Sequence, residues 1–218
     1  MKAVAIVSGG MDSVTLAYYF KSMGIDLKLV SFDYGQKHKK ELSYAELCAR
    51  NLAVEYIIID LQPIGAQLDS ALTSPQLVVP DGHYTNDNME VTVVPNRNAI
   101  MLSIATGIAV SQKVDFVGIG VHGGDHYIYP DCRSAFIVAF EKMAQLATDS
   151  SIKLIAPFLH VTKAEIVSIG TNLGVDYEQT WSCYKGEQYH CGTCGTCIER
   201  KEAFEIAGVI DPTKYGEM

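Results

Sequence analysis

The first sixty residues alternate in a way that few folds accommodate. Ala3 to Val7 is an unbroken apolar run, and it ends on Ser8-Gly9-Gly10 before apolar residues return at helical spacing through Phe20. An apolar run without polar alternation marks a strand covered on both faces, as in a parallel sheet. The unit then repeats. "DLKLVSFDYG" reads as a second strand, "KHKKELSYAELCARN" as a helix with Leu42, Ala45, Leu47 and Ala49 on its apolar side, and "VEYIIID" as a third strand. Strands alternating with helices predict an α/β fold with a doubly wound parallel sheet. Further on, "NAIMLSIATGIAVSQK", "DCRSAFIVAFEKMAQLATDS" and "IERKEAFEIAG" read as helices, and "VDFVGIG" and "IKLIAPF" as strands. Another helix starts at Thr162 with Glu165 three residues on, the spacing of a capping box. Residues 61–98 are rich in Pro, Asn, Asp and Gly and read mostly as loop; loops of that length are usually functional.

Length and charge narrow the classes of function. A chain of 218 residues fits one α/β domain, alone or with a small appendage. A formal net charge of -8 argues against a broad nucleic-acid surface, which needs clustered Lys and Arg. No apolar run approaches the length of a membrane span. The N-terminal apolar stretch is short and lacks a small-residue cleavage site, so it reads as a core strand, not a signal peptide. The expectation is a cytoplasmic protein.

The loop Ser8-Gly9-Gly10-Met11-Asp12-Ser13 sits at a strand-to-helix junction. Glycine lets backbone approach a ligand without a Cβ clash. The amides of the following helix start point outward at the positive end of the dipole. Such a loop suits phosphate or pyrophosphate, with the Ser8 and Ser13 hydroxyls adding hydrogen bonds. Asp12 would repel phosphate directly and so is expected to act through Mg²⁺. Asp12 or Ser13 is also the expected N-cap, and Gly24 the stop. A tight turn with no ligand is the plainer reading. The loop lacks the Gly-Lys-Ser/Thr ending of a Walker A site. A second glycine pattern, Gly118-x-Gly120-x-x-Gly123, imitates a dinucleotide fingerprint, but Pro130 and two tyrosines follow where a helix would have to open.

Four of six cysteines, Cys183, Cys191, Cys194 and Cys197, crowd into fifteen residues as C-x7-C-x2-C-x2-C. Glycine and threonine between the last three suit turns that aim thiolates inward. Four thiolates match a closed tetrahedral Zn²⁺ site. The rival is an iron–sulfur cluster, whose bacterial pattern continues with C-x3-C-P; here Ile198-Glu199-Arg200 follows. Cys48 and Cys132 read as structural.

The stretch "VSGGMDSVT" resembles the S-G-G-x-D-S motif of the PP-loop ATP pyrophosphatases, which grip the pyrophosphate of ATP while the α-phosphate is attacked. With "SFDYGQKH", "VVPNRN", "GVHGGDHYIYPDCR", "TKAEIV" and "CGTCGTC", the chain from about Ala3 to Arg200 looks like the 7-cyano-7-deazaguanine synthases. That resemblance implies an adenine nucleotide alpha hydrolase-like sheet with a C-terminal four-cysteine zinc segment. Residues 1–180 would be the ATP-binding domain and 181–218 a zinc-binding segment packed on it. It implies conversion of 7-carboxy-7-deazaguanine to the nitrile with ammonia and ATP, through adenylated acid and amide.

Carried over by position, Val7, Ser8, Gly9, Gly10, Met11, Asp12, Ser13, Val14, Thr15, Leu16 and Ala17 would form the ATP loop. Cys183, Cys191, Cys194 and Cys197 would bind Zn²⁺. By similarity and charge, Lys163 would neutralise phosphate and Arg97 would meet the substrate carboxylate or phosphate, joining Asp12 and Ser13 as catalytic candidates. Asp33, Asp125 and Asp131 are candidates for contact with the deazaguanine or Mg²⁺. Lys163 also reads as an exposed first-turn lysine, and Asp33 as a turn former. Two other readings stay open: a PP-loop enzyme modifying tRNA, of thiolase or lysidine synthase type, and a non-catalytic zinc-bearing nucleotide-binding protein. No direct nucleic-acid or membrane partner is expected, and a homodimer is a possible state.

Overall fold

The computed structural model describes residues 1–83, 90–124, 129–185 and 188–216. Its centre is a parallel sheet of β1 (Lys2–Ile6), β2 (Asp26–Asp33), β3 (Glu55–Asp60), β4 (Phe116–Gly118) and β5 (Lys153–Ile155), in the order β3-β2-β1-β4-β5. The helices are α1 (Met11–Ser22), α2 (Lys40–Leu52), the single turn α3 (Gln62–Gly65), α4 (Arg97–Ser111), α5 (Ser134–Thr148), α6 (Lys163–Asn172) and α7 (Gly195–Ala207). Short 3-10 turns occupy Glu90–Thr92, Pro130–Cys132 and Tyr177–Gln179.

Two cores explain the unbroken apolar run of β1. Val4 and Ile6 face one core with Met101, Leu102 and Ala105 of α4 and Ile137 and Phe140 of α5. Ala3, Ala5 and Val7 face the other, with Leu16 and Phe20 of α1, Ala45 of α2, Ile166 of α6 and Phe204 of α7. Helices therefore cover both faces, as expected for a doubly wound sheet. The chain winds outward from β1 to β3, then crosses to the other side of β1 for β4. Connections leaving β1 and β4 diverge, which opens a crevice at their carboxyl ends.

Helix ends separate what the sequence predicts well from what it does not. Gly24 follows α1 at φ +71°, consistent with the stop signal. The capping box is present: Thr162 Oγ1 accepts the Glu165 amide at 3.2 Å, and Glu165 Oε2 accepts the Thr162 amide at 2.8 Å. The expected cap of α1 is corrected. Gly10 is the N-cap, with no side-chain cap, and Asp12 and Ser13 lie in the first turn. The reason is physical: a capping oxygen would consume amides that here point into the crevice.

The glycines of the false dinucleotide pattern have steric work instead. A Cβ on Gly118 would sit 2.3 Å from the Phe20 ring, and one on Gly120 would sit 3.2 Å from Ser13 Cα. Close approach of α1 also ends β4 after three residues, shorter than the apolar run predicts. One stretch, Glu90–Ser111, is long and apolar enough to pass for a membrane span at a mean hydropathy of 1.2, which the sequence reading passed over. Here α4, its helical part, packs Met101, Leu102, Ala105 and Ala109 onto the sheet.

Gly9 is more a packing residue than a ligand-facing one. Its φ is +93°, and a Cβ would lie 2.1 Å from the Glu41 carbonyl oxygen in α2. Gly9→Ala is expected to destabilise the fold by about 3 kcal/mol or more, since backbone must move on both sides. Urea denaturation reads this directly, and an unchanged midpoint would contradict it.

Candidate active site and cysteine cluster

An open cleft lies at the carboxyl ends of β1, β2 and β4, lined by Ile6, Phe32 and Ile119 among others. At one end stand Val7, Ser8, Gly10, Met11, Asp12, Ser13 and Gly120, with Lys163 from α6 and Glu199 from α7. The loop is closed by its own hydroxyls. The Ser8 amide donates to Ser13 Oγ at 3.1 Å, the Gly10 amide donates to Ser8 Oγ at 3.3 Å, and Ser13 Oγ donates to the Gly10 carbonyl at 3.0 Å. These bonds shape the turn and leave the first amides of α1 uncapped toward the cleft, an anion-binding arrangement.

Asp12 is the charged centre of this end. Its Oδ2 lies 3.6 Å from Lys163 Nζ and 3.9 Å from His122 Nε2, while Oδ1 is buried without a partner. His122 Nδ1 accepts the Gly124 amide at 3.1 Å, so in the neutral ring Nε2 carries the proton and faces Asp12. Lys163 is shared, reaching Glu199 Oε2 at 2.5 Å. A buried, unpartnered carboxylate oxygen is costly unless a ligand or cation satisfies it. Hard oxygen donors of this kind suit Mg²⁺.

The rest of the lining is largely aromatic: Phe32, Tyr34, Tyr129, Tyr184 and Trp181, whose amide bonds the Gly9 carbonyl at 2.9 Å, with Arg97, Asn98 and Met101. Arg97 Nη1 donates to Tyr34 Oη at 3.2 Å, and its guanidinium carbon lies 5.7 Å from the Tyr34 ring centre. Burial pushes the Tyr34 phenol up to about 12, so it stays neutral. Among the described residues Arg97 makes no close ion pair, though the charge of Asp131 acts on it. The "DYGQKH" stretch builds the wall. Gln36 accepts the Tyr34 amide at 2.9 Å and donates to Glu41 at 3.0 Å, and Glu41 also lies 3.4 Å from His38 Nε2.

The four cysteines come together at the N-terminus of α7. Their sulfurs all lie within 4.8 Å of one another. Backbone amides turn toward them: Lys185 and Cys191 donate to Cys183 Sγ at 3.4 Å, and Cys194 donates to Cys191 Sγ at 3.3 Å. Sharing hydrogen bonds with Cys194 pushes the Cys183 thiol up to about 12, while the same bonds hold Cys194 well below the ordinary thiol range. Four sulfurs so close resist full ionisation until a cation sits among them. The spacing suits one ion bound by all four; a four-iron cluster puts each sulfur on a different iron and spreads them further. Cys194 is the N-cap of α7 and Cys197 lies in its first turn, so the same helix holds two sulfurs and carries Thr196 and Glu199 into the cleft.

A family model described as queuosine biosynthesis protein QueC matches residues 2–208. The chain belongs to the QueC family. It is 54% identical to the 7-cyano-7-deazaguanine synthase of Brucella ovis over 217 residues, covering 99% of this chain and 94% of that protein. The Rhizobium etli protein of the same name is 55% identical, with 99% and 92% covered. Solved structures of similar fold are more distant. NMN synthetase from Francisella tularensis has a TM-score of 0.54 at 16% identity, covering 95% of this chain and 77% of that one. A U34-tRNA thiolase from Methanococcus maripaludis, with its [4Fe-4S] cluster, has a TM-score of 0.54 at 17% identity, with 94% and 65% covered. At that identity both show the fold alone, a parallel sheet with helices on both faces.

Within this QueC-family cleft the expected residues divide. Val7, Ser8, Gly10, Met11, Asp12, Ser13, Lys163 and Arg97 line it. Gly9 turns against α2, and Val14, Leu16 and Ala17 pack in the core beneath. Thr15 is also buried, its hydroxyl bonded to the Met11 carbonyl at 2.7 Å. Asp33 accepts the Gly35 amide at 3.0 Å and pairs with Lys39 at 2.9 Å, away from the cleft wall. Asp131 accepts the Asn98 amide at 3.0 Å, capping α4 from another segment. Asp125 lies outside the described residues. Cys48 is buried in the core, where burial pushes its thiol up to about 12. Cys132 is buried against Asn98. Glu199, His122, Asn98 and the Gln36–His38–Glu41 group were not anticipated. Glu199 alone left a local signal, as an acid two residues after the last cysteine.

Proposed function

We propose that this chain converts 7-carboxy-7-deazaguanine, ammonia and ATP to 7-cyano-7-deazaguanine, as a carbon–nitrogen ligase releasing AMP and diphosphate. The observation that carries the reading is the full-length match to synthases of that name, over a cleft whose loop and cation are those adenylation needs. A carboxylate oxygen is a poor leaving group, and transfer to AMP makes it a good one. The substrate carboxylate attacks the α-phosphorus and pyrophosphate leaves onto the α1 amides and Lys163. Ammonia then attacks the activated carbonyl carbon and AMP departs, giving the amide. The amide oxygen attacks a second ATP in the same way, and loss of AMP with the two nitrogen protons gives the nitrile. Asp12 would hold Mg²⁺, which supplies charge neutralisation to the triphosphate when bound. Arg97, which makes no close ion pair among the described residues, would meet the substrate carboxylate.

Residues 1–180 form the ATP-binding part in this reading. Residues 181–218 form a segment whose four cysteines hold one structural Zn²⁺. Six free cysteines suit a reducing, cytoplasmic compartment. The exposed apolar face of α5, with Val138, Met143 and Leu146, supports a homodimer. Incubation with ATP, ammonium and 7-carboxy-7-deazaguanine should yield the nitrile by mass, with two AMP and two pyrophosphate for each product. Release of ADP and phosphate, or no nitrile, would overturn the reading.

A further inference from the structure

We propose that Asn98 reads an N–H of the deazaguanine, on the ring or its exocyclic amine, through a carboxamide whose orientation the fold fixes in advance; the inference rests on the substrate proposed above. Asn98 lines the cleft and its residue is only 9% exposed. Its Nδ2 donates to the Asp131 carbonyl at 3.3 Å and to Cys132 Sγ at 3.3 Å. A carbonyl oxygen can only accept, so the nitrogen must face Asp131; the flipped amide would set two oxygens against each other. Both amide hydrogens are thereby used. Its backbone is fixed as well, by the amide bonded to Asp131 Oδ2 at 3.0 Å. Oδ1 is the one polar atom of this side chain without a hydrogen bond, and it can act only as an acceptor.

Beside it in the chain stands Arg97, one Nη donating to Tyr34 and the guanidinium in no close ion pair among the described residues, with the Asp131 charge acting on it. A cation beside an oriented acceptor complements a ligand that joins an anionic group to an N–H donor. 7-Carboxy-7-deazaguanine has that pairing, with its carboxylate on the five-membered ring and donors at N1, N9 and the exocyclic amine. ATP also carries an exocyclic amine, but its anionic end is the triphosphate, for which the start of α1 and Lys163 line the same cleft. Sites built around a fixed polar partner discriminate strongly against ligands that lack the matching group.

The test separates the two nucleobases. Asn98→Ala should raise the KM for 7-carboxy-7-deazaguanine by about 10- to 100-fold, with the KM for ATP little changed. Calorimetry on the unaltered chain gives a second measurement that does not depend on the variant folding. Among the 2-deamino, 1-methyl and 9-methyl analogues of the acid, at least one should bind about tenfold more weakly than the parent. A raised KM for ATP with an unchanged KM for the acid would overturn the assignment, as would equal binding of all three analogues. Absence of nitrile from the unaltered chain refutes the proposed function itself. Nitrile formation with an unchanged acid KM in Asn98→Ala refutes this inference alone.

Discussion

Asp12→Ala is expected to lower turnover by about 10²- to 10³-fold while leaving stability within about 1 kcal/mol of the parent. Asp12 opens α1, and its carboxylate spans a buried, unpartnered Oδ1 and an Oδ2 3.6 Å from Lys163. Removing it costs the fold a favourable charge at a helix N-terminus. It also removes a desolvated oxygen that nothing in the protein satisfies. The two effects oppose each other, and Lys163 retains Glu199. Catalysis has no such compensation, because no other described carboxylate shares this position at the loop. Steady-state kinetics and urea denaturation on the same preparation check both halves. Normal turnover removes Asp12 from the mechanism, and a collapse of stability assigns it to structure.

Local features were legible in the sequence, and assembled ones were not. The strand–loop–helix from Ala3 to Phe20, the Thr162–Glu165 box and the four cysteines each declare themselves within a few residues, because the atoms that interact are close in the chain. Asp33 takes the turn-forming role the sequence also offers, its carboxylate bonding the amide two residues on and Lys39 six residues on. The Asp131 contact is not local, since the helix it caps begins 34 residues upstream at Arg97. Asn98 gains its role only when α4 meets the Asp131–Cys132 segment, and His122 only when the segment after β4 meets Asp12 of α1. The α1 cap was misplaced because a helix start kept open for a ligand departs from the usual stabilising pattern.

Cys194→Ser should abolish metal retention and lower stability by about 3 kcal/mol or more. Serine is a favourable N-cap, so helix capping at the start of α7 should not suffer from the exchange. Any loss of stability therefore reports the missing thiolate. Turnover should fall as well, because Thr196 and Glu199 ride on the same helix and Glu199 holds Lys163. Elemental analysis should find about one zinc per parent chain and almost none in the variant. Iron with inorganic sulfide in the parent would exclude the zinc assignment, and a variant that keeps its metal would exclude Cys194 as a ligand.

The far position of α7 in the chain has a consequence for the order in which a ribosome makes this enzyme. The loop at Ser8 to Ser13 emerges first, and Glu199 comes late. At ordinary elongation rates of about 5–20 residues per second, roughly 10–40 s pass between them. During that interval the nascent chain has the amides for a triphosphate but neither the acid that steadies Lys163 nor the Trp181 amide that bonds Gly9. The cleft is therefore complete only once α7 has been made and has docked, with Glu199 on Lys163.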